Sequence, residues 1–297
     1  MIEKIKKVYE VHYKVLMLIP LLLLILSLVQ IGYQYSTTGD FTNRGVSLKG
    51  GSTITIVQQD LPVLELETLL QQQFPLSGIS LRTLSSAGKI TGVSVDSSAQ
   101  SSEEINALVS SIATLVPLEK NDYSVEVVGS SLGDNFFKQM MIALLFSFIL
   151  MGIVVILYFR IFITSVTVIL AAFCDMVISL AIFNLTGMKL NAAGVAAFLM
   201  IIGYSVDGEV VIASRLLKRR DGSELQRIYG ALKTGWTMTQ TALVAVVVSF
   251  IFVQSEIVKQ IMLILLIGLL VDTVITWIQN VGIIRWHLEI LKKKKTF

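Results

Sequence analysis

Four carboxylates stand where carboxylates are costly. Asp175, Asp207, Glu209 and Asp272 each interrupt a long apolar run. An ionised side chain at a bilayer centre costs about 2.5–3.5 kcal/mol on insertion scales, so such acids face protein or water, pair with something, or carry protons. A carboxyl that is neutral at one stage of a cycle and ionised at another can couple an ion gradient to movement. The plainer alternative is that these acids only tie helices together through hydrogen bonds. Proteolysis by two membrane aspartates is a poor fit, because the Tyr-Asp and Gly-x-Gly-Asp patterns of such proteases do not occur.

Spacing sorts the acids. Gly268, Asp272, Thr276 and Gln279 follow helical intervals and make a polar stripe suited to a helix–helix seam. Gly203 and Asp207 share one face of the fourth apolar run, whereas Glu209 lies about 200° round from Asp207. Both acids can enter one crevice only if the helix breaks, and Gly208 between them makes local unwinding the expectation, as in the discontinuous helices of ion sites. Ala192, Ala193, Gly194, Ala196 and Ala197 let a neighbour approach closely. Lys233, Thr237, Gln240 and Thr241 place a cation and hydroxyls on one face of the fifth run. The ion- or proton-coupling candidates are therefore Asp207, Glu209, Asp175, Asp272 and Lys233, with Gly203, Gly208, Gly194 and Gly268 for packing or hinging. Asp207 leads that set.

The elements that must hold these residues are membrane spans. Hydrophobic residues make up 54% of the 297 and charged residues 15%, against roughly 25% charged in soluble domains. That excludes an ordinary soluble enzyme and a disordered chain, and a net charge of +3 gives no basis for a nucleic-acid partner. One cysteine and two histidines make an internal disulfide and a histidine metal site implausible. A bilayer core needs about 20 apolar residues per helix, and six runs qualify. They are 15–31, 140–159, 161–183, 192–214, 237–253 and 261–284. The first reads as a retained signal-anchor bent at Pro20. Sixteen of the 24 Lys and Arg fall at residues 1–14, at Arg160, in the loop 215–236 and in the basic tail 285–297. The positive-inside rule then puts both termini in the cytosol and the segment 32–139 outside a plasma membrane.

That segment changes character to Ser, Thr and Gln. Ser52–Val57, Ile79–Leu84, Ile90–Val95 and Tyr123–Val128 read as strands, the middle two joined by Ser86-Ala87-Gly88. Leu61–Phe74 reads as a helix with Pro62 at its start. Ser101 or Ser102 caps a second helix, with an acid three residues on completing a capping box, and Pro117 ends it. The order β-α-β-β-α-β is the ferredoxin-like split unit, giving an α+β extracytosolic domain between the first and second helices of an α-helical polytopic membrane protein. Lys49-Gly50-Gly51-Ser52 lacks Walker spacing and reads as a turn into a strand. The domain holds no catalytic constellation. In the 215–236 loop, Asp221-Gly222 turns the chain, Ser223 caps, and Leu225, Ile228, Tyr229 and Leu232 suggest a short interfacial helix ending at Gly235.

The stretch Asn191 to Arg215, with its Ile202-Gly203-Tyr204-Ser205 element followed by acids, resembles the fourth-span signature of the SecF family of export-complex subunits. That family is related to the resistance-nodulation-division (RND) transporters. Phe173-Cys174-Asp175 resembles the family's third-span acid, and Lys49-Gly50-Gly51 its Gly-Gly lead into the first exterior strand. The Ser-Val-Asp form and the ending Trp277 to Trp286 look archaeal. The resemblance covers nearly the whole chain. It implies a non-enzymatic subunit without cofactors, driven by a proton or sodium gradient, that pairs with a SecD-like subunit beside the SecY translocon. Its other contacts would be exported polypeptides and membrane lipids, with no nucleic acid. Bacterial members carry Asn-Asp where Asp207-Gly208 stands, and an Arg near Thr234, where Lys233 is the adjacent cation. The competing expectation is an RND-type small-molecule or lipid transporter, which needs an apolar, drug-sized pocket in the exterior domain.

Overall fold

The computed structural model describes residues 11–58, 61–75, 77–86, 89–118, 122–217, 224–253 and 255–295. The chain is mostly helical, with six helices long and apolar enough to cross a membrane and one small antiparallel sheet. A short turn, α1 (Tyr13–Leu16), leads into α2 (Leu18–Thr38). The break falls where Pro20, having no N–H, cannot bond the carbonyl of Leu16. After α3 (Val46–Lys49) come β1 (Gly51–Ile56), α4 (Val63–Gln73), β2 (Ser80–Ser86), β3 (Lys89–Ser97), α5 (Ser102–Leu115) and β4 (Tyr123–Val128). The remaining helices are α6 (Ser130–Phe159), α7 (Phe162–Leu185), α8 (Ala192–Leu217), α9 (Glu224–Phe252) and α10 (Glu256–Val274). A π-helical turn, Ile275–Asn280, then joins α10 to α11 (Val281–Lys295).

The sheet has the order β2-β3-β1-β4, every neighbour antiparallel, with Ile54 opposite both Val95 and Val125. Alternation puts Ile54, Ile56, Val93 and Val95 on one face, where α4 and α5 bury Leu66, Leu70, Leu108 and Ile112 against them. The other face is polar. There Asp96, 1% exposed, accepts from Arg82 at 2.8 Å and from Thr53 at 2.9 Å. Ser101 caps α5 through the Glu104 N–H, and the Glu104 carboxylate returns to the backbone N–H groups of Gln100 and Ser101, completing the expected capping box.

In the membrane bundle α7 and α10 flank α8, and α2 packs on α7. Near the sheet, Ile178, Phe183, Phe198, Ile201 and Ile264 form one apolar cluster; at the far end Val168, Ile212, Leu216, Ile228 and Ile284 form another. The segment before β1 is clamped to the α7–α8 connection. Gly45 N–H donates to Leu190 O (2.7 Å) and Leu190 N–H to Asn43 O (2.6 Å). The Asn184 amide donates to Phe41 O, and Ala192 N–H to the Ser47 hydroxyl. Gln260, at the start of α10, ties the same connection by donating to Lys189 O and accepting from Asn191 N–H.

Two expectations are corrected. The helix α8 runs unbroken through Gly208, because helical hydrogen bonds continue and glycine alone costs only about 1 kcal/mol. No separate interfacial helix forms before the fifth span. Glu224–Phe252 is one helix that continues through Gly235, which is buried with the Ile212 side chain beside it. The basic tail continues as helix to Lys295. Lys4, Lys6, Lys7, the Ala87-Gly88 turn, Asp221-Gly222 and the Ser223 cap lie outside the described residues.

Backbone contact at the base of the sheet sets a first expectation. A Cβ on Gly133 would lie 2.6 Å from the Gly50 nitrogen, and Gly50 itself has φ +89°. Backbone cannot move aside as a side chain can, so Gly133→Ala should cost about 1–3 kcal/mol, read as a lower unfolding midpoint of the full chain. A second expectation concerns acid. Hydrogen bonds from Gln100 and Ser101 N–H hold the Glu104 carboxyl below the usual glutamate range. The resulting stability is present above the ordinary glutamate value and is lost as pH falls through the lowered one. Protection factors of the amides at the start of α5, relative to the intrinsic exchange rate at each pH, should therefore fall selectively on acidification, and Glu104→Gln should abolish the selectivity.

Candidate functional site

Between the two apolar clusters of the bundle lies a polar layer. Asp175 from α7 and Glu209 from α8 are fully buried, and Asp272 from α10 is 6% exposed. Ser205, one turn before Glu209 on the same face of α8, donates to Asp175 Oδ2 at 2.6 Å. Asp272 is an electrostatic neighbour of Asp175 across the α7–α10 contact. Thr276, one turn beyond Asp272, holds its hydroxyl 2.9 Å from Glu209 Oε1 and 3.0 Å from Asp272 Oδ1. The string Glu209–Thr276–Asp272–Asp175–Ser205 thus crosses three helices. Asp175 Oδ1 and Glu209 Oε2 have no partner among the described residues.

No cation enters this layer among the described residues. Lys233 lies exposed on α9, where it forms no ion pair among them. Two adjacent carboxylates in a low-dielectric interior cannot both remain ionised without compensation, so the layer must hold protons or admit a cation. Hydroxyls reach all three acids: Ser205 meets Asp175, and Thr276 lies between Glu209 and Asp272.

The structure divides the expected residues. Asp175, Glu209 and Asp272 come together. Asp207 and Gly203 lie on the exposed face of α8, as the angular separation requires of an unbroken helix, so the lead given to Asp207 as a crevice acid passes to Glu209. Gly208 is half-buried with open space around its α-carbon, which gives it neither a hinge nor a tight contact here. Gly268 and Gly194 are close-approach positions. A Cβ on Gly268 would meet Ile201 at 2.5 Å, and one on Gly194 would meet the Leu190 side chain at 2.6 Å and Gln260 at 2.8 Å. Ser205 was missed, although its four-residue spacing from Glu209 marks the same face. Asn280, fully buried with neither amide atom partnered among the described residues, was missed as well. Nothing in the sequence announces the π-helical turn that carries it.

Between the polar sheet face and the bundle lies a cleft of about 520 Å³, lined by Thr53, Arg82, Asp96, Glu126, Lys189 and Asn191 among others.

Six candidate spans, a small antiparallel sheet at one end of the bundle and acids between its two apolar clusters define a polytopic membrane protein. A family model described as protein export membrane protein SecD/SecF, C-terminal, matches residues 108–289. The protein-export membrane protein SecF of Pyrococcus furiosus is 32% identical over 286 residues, 96% of this chain and 95% of that one. That of Methanolacinia petrolearia is 36% identical over 279 residues, covering 93% and 94%. The chain belongs to the SecF family of protein-export membrane proteins. Its fold is similar to SecDF, a translocon-associated membrane protein from Thermus thermophilus, with a TM-score of 0.73 at 19% identity. That match covers 93% of this chain but spans only 38% of the longer SecDF chain.

The division of the two α8 acids is open to direct measurement. In a Cys174→Ala background, Asp207→Cys should react with a maleimide in mild micelles at least about tenfold faster than Glu209→Cys, since thiol reactivity follows access and thiolate character. Equal rates would contradict the unbroken α8.

Proposed function

We propose that this chain acts as an auxiliary subunit of the Sec export machinery that couples a transmembrane ion gradient to protein translocation. The observation that carries the reading is the layer of Asp175, Glu209 and Asp272, three buried acids on three helices with no cation bonded to them among the described residues. A structural brace would be more stable with apolar side chains in those places. Such acids change charge only if the surrounding helices rearrange, and this links protonation to motion.

In this reading a SecD-like subunit supplies the missing neighbours. The family membership and the likeness to part of a longer SecDF chain support it. Asp207 supports it independently. A carboxyl on the outer face of a span pays about 2.5–3.5 kcal/mol against lipid, and a covering helix with a donor removes that cost. Lys233, Thr237 and Thr241, exposed on α9, would extend the same interface. The strand order β2-β3-β1-β4 supports a ferredoxin-like domain within residues 32–139, outside the plasma membrane. The Lys and Arg distribution supports cytosolic termini, residues 1–14 and 285–297, with the spans 15–31 and 140–284 between. The SecY translocon, exported polypeptides and the lipids around the bundle complete the set of partners.

Membrane potential supplies about 2.3 kcal/mol per charge per 100 mV. Loss of one coupled charge therefore removes at most about a fiftyfold bias. In vesicles carrying the translocon and both subunits, Asp175→Asn, Glu209→Gln and Asp272→Asn should each lower gradient-dependent translocation by about ten- to fiftyfold. Gradient-independent translocation should stay unchanged. Asp207→Asn should mainly lower recovery of the SecD-like partner in mild detergent. Wild-type gradient dependence in all three buried variants would leave a passive scaffold.

A further inference from the structure

Threonine in a helix usually gives its hydroxyl to the carbonyl four residues back. Thr167, Thr237, Thr239 and Thr273 do so here. Thr276 does not. Its hydroxyl sits between two carboxyl oxygens, Glu209 Oε1 at 2.9 Å and Asp272 Oδ1 at 3.0 Å. A hydroxyl has one hydrogen, so it can donate to only one of them. The other contact is a hydrogen bond only when that carboxyl is itself protonated and donates to Thr276 Oγ1. The geometry therefore admits two arrangements of equal bonding. In one, Asp272 is protonated and donates to Thr276, which donates to the Glu209 carboxylate. In the other, every bond is reversed.

We propose that Thr276 is a proton bridge that passes one proton between Asp272 on α10 and Glu209 on α8. The step balances without a co-reactant. The O–H bond of Asp272 breaks as its proton forms a bond to Thr276 Oγ1. The original Thr276 hydrogen leaves for Glu209 Oε1. Negative charge moves from Glu209 to Asp272, and Thr276 is regenerated. The titratable groups around the bridge are Asp272 on its own helix, Glu209 from α8 and, through Asp272, Asp175 from α7.

Two further observations support an exchange site over simple helix glue. Thr276 lies in the π-helical turn Ile275–Asn280, a backbone form that recurs at functional sites and alters the usual bonding of the turn. Asn280 follows in that turn as a fully buried amide whose two polar atoms have no partner among the described residues. Unsatisfied buried amides are costly, and this one lies one helical turn beyond Thr276.

The inference rests on the proposed coupling role of the acids, and its test is chosen to separate the two. The full chain with its partner is held in lipid, and carboxyl protonation is followed by time-resolved infrared absorption after a pH jump, with Glu209→Gln and Asp272→Asn assigning the bands. Thr276→Val should slow proton redistribution between the two carboxyls by tenfold or more and leave the final band intensities nearly unchanged. Thr276→Ser should retain the wild-type rate. A wild-type rate in Thr276→Val overturns the bridge. A second measurement needs no variant. Two hydrogens in flight make the rate bow downward against deuterium fraction, and a straight line overturns the bridge. If neither carboxyl changes protonation at any pH, the coupling role falls too; if both change but the bridge tests fail, only the inference about Thr276 falls.

Discussion

Three carboxyl groups share a water-poor interior with hydroxyls and no bonded cation, and much of the bundle answers to that constraint. Like charges about 4 Å apart repel by about 4 kcal/mol even at an effective dielectric of 20. The interior therefore tolerates Asp175, Glu209 and Asp272 together only when protons or an admitted cation offset their charge. Ser205 and Thr276 supply donors that a purely apolar seam would lack. Two apolar clusters close in on either side of the layer. Charge state and helix position are consequently joined, because a newly ionised oxygen needs a new donor and donors are fixed to particular helices.

Close packing is what brings the acids within reach. Gly268 lets α10 settle on Ile201 of α8, one helical turn from Asp272, and Gly194 does the same nearer the sheet. Small residues at a seam are how membrane helices gain contact where no hydrophobic drive exists between them and lipid. The site thus depends on residues that carry no chemistry.

Much of this was legible in the residues. The six apolar runs, the alternation of four strands, the Ser101–Glu104 box and the stripe from Gly268 to Gln279 all rest on local periodicity. The opposition of Asp207 and Glu209 was legible as well, since it follows from helical geometry. The error lay in supposing that Gly208 would break the helix to reconcile them. Local signals could not rank an isolated glycine against the packing of Ile201, Ile212 and Leu216 on both sides of it. The fused helix Glu224–Phe252 was hidden for the same reason, because Gly235 reads as a stop until Ile212 is placed against it. The pairing of Gly45 with Leu190 joins segments more than 100 residues apart, which no window along the chain contains.

The clamp on residues 41–47 has a mechanical consequence. Its anchors are Asn184 near the end of α7, Leu190 in the α7–α8 connection and Ala192 at the start of α8, and Gln260 of α10 ties that connection in turn. A helix rises about 1.5 Å per residue, so Asp175 stands roughly 14 Å from Asn184 along a stiff rod. A few degrees of rocking about the middle of that rod shifts its tip by about an ångström, and the pinned strap must follow. The strap at residues 41–47 thus gives the sheet a direct mechanical link to α7 and α8, through hydrogen bonds and not through loops that face solvent.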